Sequence, residues 1–219
     1  MRWRHAIQAA GVLALSGCWS GGVQGTGDVA RVARPVAAFQ RISTGGTIDV
    51  DVKVGPATSV IVEAQPNIAD LIKTTVADGT LTVENDENFH SDKPVVVHIT
   101  APRIDALAMK GASHATVEGL HGGDFSVEIA GVGTVDASGM VDHLKLESGG
   151  AGNAQLDRLA ARDAVVRLAG VGNASIAVTG TLDVEIAGVG SVTYRGSPKI
   201  VHQTIGGVGH VTQTSSTVN

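Results

Sequence analysis

The tetrapeptide Ala-Gly-Val-Gly begins at residues 130, 169 and 187, and Gly-Gly-Val-Gly follows at 206. Looser copies stand at Gly111-Ala112-Ser113 and Gly150-Ala151-Gly152. The leading glycines, Gly111, Gly131, Gly150, Gly170, Gly188 and Gly207, are 20, 19, 20, 18 and 19 residues apart. A period of that length marks a solenoid of stacked coils, each coil touching only its neighbours. It makes long outer faces, rather than a pocket, the surface on offer.

The glycines also serve as a ruler. Residues two, four and six positions before each one are almost all apolar: Ile129, Val127 and Phe125; Leu168, Val166 and Ala164; Ile186, Val184 and Leu182. Ser148 and Gln203 are the departures. The positions between them, such as Glu128, Glu147, Lys145, Glu185 and Asp183, are polar, so strands with one face in and one face out are expected. A second strand starts after each Gly-x-Gly, with Ala115, Val135, Ala154, Ala174, Val192 and Val211 inward. The reading is an all-β, parallel β-solenoid of ~19-residue coils forming two facing sheets. Glycine at each corner answers a need for positive φ or tight backbone approach, and the valine between glycines is expected to dip into the core.

Upstream, 36–102 alternates strand patterns with turn signals. Thr47–Val54 sets Ile48, Val50, Val52 and Val54 against Asp49, Asp51 and Lys53. Thr58–Glu63, Thr80–Glu84 and Val95–Thr100 read as further strands, Asn67–Ile72 as one helical turn and Asp86–Lys93 as a loop.

Aromatic residues make up only 3% of the chain against 43% hydrophobic, which suits a thin core of Val, Ile, Leu and Ala. A net charge of -5 without any basic run excludes a phosphate backbone as a natural partner, so no nucleic acid is expected. The Gly-x-Gly copies are not nucleotide loops, since strands and not helices follow them.

Arg2 and Arg4 precede the apolar stretch 6–15, a signal-peptide pattern too short for the ~20 residues of a membrane span. It ends at Leu15-Ser16-Gly17-Cys18, which resembles the bacterial lipobox. Residues 1–17 are therefore expected to be removed, and Cys18, the only cysteine, to carry lipid. Trp19 in place of an aspartate implies sorting to the outer membrane. Residues 18–35, rich in glycine, read as a tether, and 214–219 as a polar tail.

Phe39-Gln40-Arg41-Ile42 leading into Gly46-Thr47-Ile48-Asp49-Val50, then Asp78-Gly79-Thr80-Leu81-Thr82-Val83, then the Gly-x-Gly coils after Met109, together resemble the head GIN domain family of auto-transporter adhesins. The resemblance covers roughly 36–213. It implies a right-handed β-solenoid similar in shape to pectin-lyase-like proteins, a role in cell-surface adhesion and no defined catalytic set.

Two outward columns are candidates for chemistry. Ala108, Glu128, Glu147, Arg167, Glu185 and Thr204 form one, in which Glu128 and Glu147 could act as acid and base or hold a cation, or simply pair with Arg167. Thr116, Asp136, Gln155, Ser175, Thr193 and Thr212 form the other, a hydrogen-bonding strip suited to a glycan, a protein or a second copy. His114 and His210 share a coil position but lie ~24 Å apart, too far to share a metal. No cofactor, metal site or nucleophile elbow is read. The leading function is a non-catalytic, membrane-anchored binding solenoid of the cell envelope; the alternatives are a polysaccharide lyase or hydrolase and a structural envelope protein.

Overall fold

The computed structural model describes residues 21–214 of the 219-residue chain. It is 67% strand and 2% helix, wound as a β-solenoid of about 5 turns with curled sheets. β1 (Val23–Gln24), β2 (Ala30–Ala33), β3 (Arg41–Thr44), β4 (Asp49–Val54) and β5 (Ser59–Ala64) lead to α1 (Pro66–Ala69). β6 (Ile72–Ala77), β7 (Thr80–Asn85), β8 (Phe89–His90) and β9 (Val96–Ala101) follow. The coils hold β10 (Ala106–Met109), β11 (Ala112–His121), β12 (Asp124–Ile129), β13 (Val132–Ser148), β14 (Ala151–Leu168), β15 (Val171–Val178), β16 (Thr181–Ile186), β17 (Val189–Arg195), β18 (Ile200–Ile205) and β19 (Val208–Gln213).

Alternation of apolar and polar residues puts one side of every strand inward, and two parallel stacks result. The first face runs β7, β3, β10, β12, the ends of β13 and β14, β16 and β18. The second runs β9, β4, β11, the starts of β13 and β14, β15, β17 and β19. A third, shorter ladder joins them in the middle coils, where Leu120 lies beside Gly139 and Gly139 beside Leu159. Register shifts separate it from the second face, so β13 and β14 bend round the corner without breaking. Phe125, Val127, Ile129, Leu146, Val166, Val184 and Ile186 fill the interior as their spacing predicts, and Ser148 is buried with them.

The two ends are finished differently. At the N-terminal end β6 pairs antiparallel with β7 through a two-residue turn, Asp78-Gly79, with φ of 48° and 70°. β5 pairs antiparallel with β9, and β2 with β5. α1 packs Ile68 and Ala69 fully into the core. These antiparallel strands cover the first level of the solenoid, an arrangement that alternation alone does not reveal. The expected loop 86–93 contains β8, which pairs with β1.

Two expectations change. The segment 18–35 is not a free tether from residue 21 onward. The Val23 amide donates to Asn88 at 2.9 Å, Gly25 to His90 at 2.8 Å, and the Thr26 amide to Asn67 Oδ1 at 2.9 Å. Gly22 and Gly25 allow the close docking, since a Cβ on Gly22 would press on the Asn88 carbonyl oxygen at 3.1 Å and one on Gly25 would collide with the Gln65 side-chain amide. Nor does the repeat valine enter the core: Val132, Val171, Val189 and Val208 are 57%, 59%, 51% and 70% exposed. Strand alternation runs unbroken through the corner, since Phe125, Val127 and Ile129 share one parity with the buried Val135 and Ala137, so the residue between the glycines falls on the outward parity. Of the two reasons offered for the leading glycines, close approach is the one at work. A Cβ at Gly150 or Gly170 would land on the carbonyl oxygen of the equivalent glycine one coil earlier. Cys18, the signal segment 1–17 and residues 215–219 of the tail lie outside the described residues.

Candidate functional site

On the second face the residues at the outward position of each strand align rung by rung. Thr116 lies beside Asp136, Asp136 beside Gln155, Gln155 beside Ser175, Ser175 beside Thr193 and Thr193 beside Thr212. All five candidate binding residues, Thr116, Asp136, Gln155, Ser175 and Thr193, thus share one column. Pairing extends it at the N-terminal end through Asp51 to His98. The pattern of 47–54 marks Asp51 as outward, but only coil register reveals which residue it joins.

The two halves of this column differ electrostatically. His98 stands between two carboxylates, with Nδ1 3.4 Å from Asp51 and Nε2 3.1 Å from Glu63. Arg31 Nε lies 2.6 Å from Glu63. The Arg31 hydrogen bond, and then that of His98, hold the Glu63 carboxyl below its ordinary range despite desolvation. His114 Nε2 is 3.6 Å and Arg158 Nη2 is 3.7 Å from Asp136, whose side chain is only 15% exposed. A shallow cavity of about 270 Å³ opens here, lined by Asp51, Lys53, His98, Thr116 and Glu118 among others. From Gln155 onward the column is uncharged, and Ser175 and Thr193 share a hydroxyl hydrogen bond of 3.0 Å.

A second polar ladder flanks the corner. Asn153 Oδ1 accepts from the Asn173 amide at 3.0 Å, and Asn173 Oδ1 from the Ser191 amide at 3.1 Å. Side-chain carbonyls thus carry hydrogen bonds from coil to coil beside the glycines. Next to it run the exposed valines in register, Val132 with Ala151, Ala151 with Val171, Val171 with Val189 and Val189 with Val208.

The carboxylate column on the first face has the expected register, Glu128 beside Glu147 and Glu147 beside Arg167. Arg167 bridges Glu147 at 3.6 Å and Glu185 at 3.4 Å, and Lys145 Nζ sits 2.9 Å from Glu147. Glu147 is thereby neutralised from two sides, which suits a solvated face better than an acid and base pair. Among the described residues no three of His, Cys, Asp or Glu converge on a metal position. His143, Arg162, Asp142 and Asp163 gather at a third corner, where Asp142 and Asp163 accept the amides of Gly123 and Thr181 at 2.9 and 2.8 Å. That cluster secures the turn.

Fold and surface together define a β-solenoid with a long, polar outer face. The chain belongs to the family described as "Putative auto-transporter adhesin, head GIN domain", whose model matches residues 38–198. Among solved structures it is similar to a "putative adhesin" from Bacteroides fragilis, at 25% identity and a TM-score of 0.70, covering 88% of this chain and 100% of that one. Two structures from Parabacteroides distasonis share the fold at 18% identity, and each match covers 89% of this chain and 100% of the other. One is described as a "putative adhesin" (TM-score 0.53) and one as a "putative lipid binding protein" (TM-score 0.52). No curated protein matches the chain. Family membership groups it with adhesin-like proteins of the cell envelope or surface. No helix among the described residues is long and apolar enough to cross a membrane.

Proposed function

We propose that the chain is a lipid-anchored, non-catalytic adhesion protein of the outer membrane that binds an extended glycan along its second face. The observation that carries this reading is the unbroken column from His98 to Thr212. Its rungs repeat every ~4.8 Å, on the scale of a sugar ring, and present hydroxyl, amide and carboxylate groups that can both donate to and accept from sugar hydroxyls. Protein interfaces favour exposed aromatic anchors, whereas Phe39, Phe125 and Tyr194 are buried. Cys18 supplies the lipid attachment in this reading. It lies five residues before Val23, so at most ~18 Å of chain separates the anchor from the docked β1.

Binding of the chain to a glycan array tests the face. Replacing Asp136, Gln155 and Thr193 together by alanine removes three rungs at ~1 kcal/mol each, about a hundredfold in affinity. Glu128→Gln with Glu147→Gln leaves binding intact. Array binding indifferent to the triple variant refutes the assignment, and glycan cleavage abolished by the glutamine pair establishes an enzyme instead. Cys18→Ala releases the protein from the membrane fraction if the anchor is correct.

A further inference from the structure

Among the described residues nothing at the C-terminal end corresponds to the antiparallel cap. Among the described residues β18 pairs only with β16 and β19 only with β17, which leaves one backbone edge of each strand open. The last layer of the core is open as well. Val201 and Val211 are half-buried and Ile205 is 44% exposed, although the residues above them, Leu182, Val192 and Ile186, are fully buried. Exposed sheet edges ordinarily carry lysine, proline or carboxylates that discourage pairing. Ile200–Ile205 and Val208–Gln213 contain none, and their only ionisable residues are His202 and His210.

We propose that this end is a homophilic contact, in which β18 and β19 of one copy meet those of a second copy, tail to tail about a twofold axis. The proposal rests on the anchored adhesion reading above and names a partner for it. Three features select a second copy. At the N-terminal end β2 and β6 also have one unpaired edge each, but these strands carry Arg31 and Lys73 and α1 closes the core there with Ile68 and Ala69, so the open apolar end finds its like only in the same end of a second copy, which is the isologous arrangement. A twofold axis across the solenoid sets the open edges antiparallel, a pairing sheets accept readily. Gln203 occupies a core position that Leu146, Val166 and Val184 fill in earlier coils. Its amide both donates and accepts, so two copies facing each other satisfy one another, while a merely apolar edge leaves it unpaired.

Geometry links the contact to adhesion. Counting the two levels that β7, β9, β3 and β4 add below the coils, each stack is eight strands deep, so the open end lies ~34 Å from the cap that Cys18 would hold near the membrane. Copies anchored on opposing surfaces can therefore meet by their far ends. Two six-residue strands on sheets ~10 Å apart offer roughly 300–400 Å² per copy, below the ~1,200 Å² total of a stable complex. A single pair is weak, and arrays of pairs hold.

The test uses the 219-residue chain coupled to beads through its one cysteine, Cys18, which needs no lipid and presents the open end outward. Wild-type beads cluster without added glycan. Gln203→Lys beads lose at least about tenfold in clustering rate, as do Gln203→Glu beads, and mixing the two restores it. Glycan-array binding by both variants stays unchanged, which separates this contact from the second face. Absence of wild-type clustering, failure of the lysine and glutamate mixture to cluster, or clustering that appears only when residues 215–219 are deleted each overturns the proposal. The last outcome would place that segment on the edge in the native chain.

Discussion

Gly149 and Gly150 are adjacent in sequence and opposite in what a methyl group would do to them. A Cβ at Gly150 would fall on the carbonyl oxygen of Gly131 and 2.8 Å from both the carbonyl carbon and oxygen of Ala130. Those atoms are backbone, so the coil itself has to move. Three coil-to-coil hydrogen bonds are at stake: Gly149 and Gly150 amides to Ile129 at 3.0 Å, and Ala151 amide to Gly131 at 2.9 Å. Losing two of the three at ~1 kcal/mol each, with one buried group left unpaired at a further ~1–3, makes Gly150→Ala cost about 3–5 kcal/mol. A domain stability of roughly 5–15 kcal/mol makes that a large loss. At Gly149 nothing lies within 4 Å of the same added atom, so Gly149→Ala should gain ~0.4–1 kcal/mol by restricting the unfolded chain. Urea unfolding followed by circular dichroism reads both. A Gly150→Ala loss below ~1 kcal/mol, or equal losses at the two sites, refutes the view that corner glycines exist for coil contact.

Exposure of the repeat valines makes Val171→Ser nearly neutral, within ~0.5 kcal/mol, whereas Val166→Ala, in the core, should cost ~2–3 kcal/mol; thermal melts of the two variants distinguish them. Asp163 is held below its ordinary pKa by the Arg162 hydrogen bond and then by the Thr181 amide. A folded-state pKa lowered in this way contributes stability that is present above the unfolded value and lost as pH falls through the folded one. The gap in urea midpoint between the wild type and Asp163→Asn should therefore close on acidification, and a gap constant from neutral pH to below the carboxylate range would refute the ion-paired turn.

Period and alternation were enough to predict the stacked fold because every coil solves the same problem with the same residues. Ile129, Leu168 and Ile186 can be placed in one column by counting from glycines, and so can the polar rungs from Thr116 to Thr193. What counting misses is where the repeat stops being local. β5 and β6 alternate as well as any coil strand, yet they run antiparallel at the end of the stack, a choice set by the Asp78-Gly79 turn and by the need to cover the first core layer. His98 escaped the column for the same reason, since its neighbour Asp51 lies 47 residues earlier in the chain. The outward valines were legible too: inward positions two, four and six before the leading glycine and four after it keep one parity, and the valine one residue after the glycine falls on the other.

That separation of inward and outward residues has a consequence for binding. Each outward rung contributes little to the core, so its chemistry can vary without disturbing coil register. The second face uses that freedom unevenly. Asp51, His98, Asp136 and their partners make the capped half charged, and Gln155, Ser175, Thr193 and Thr212 make the open half neutral. A ligand lying along the column would be oriented by charge at one end and held by hydrogen bonds at the other. Charges at the capped half set the approach and its salt dependence, and the neutral rungs set the length of chain that can be read.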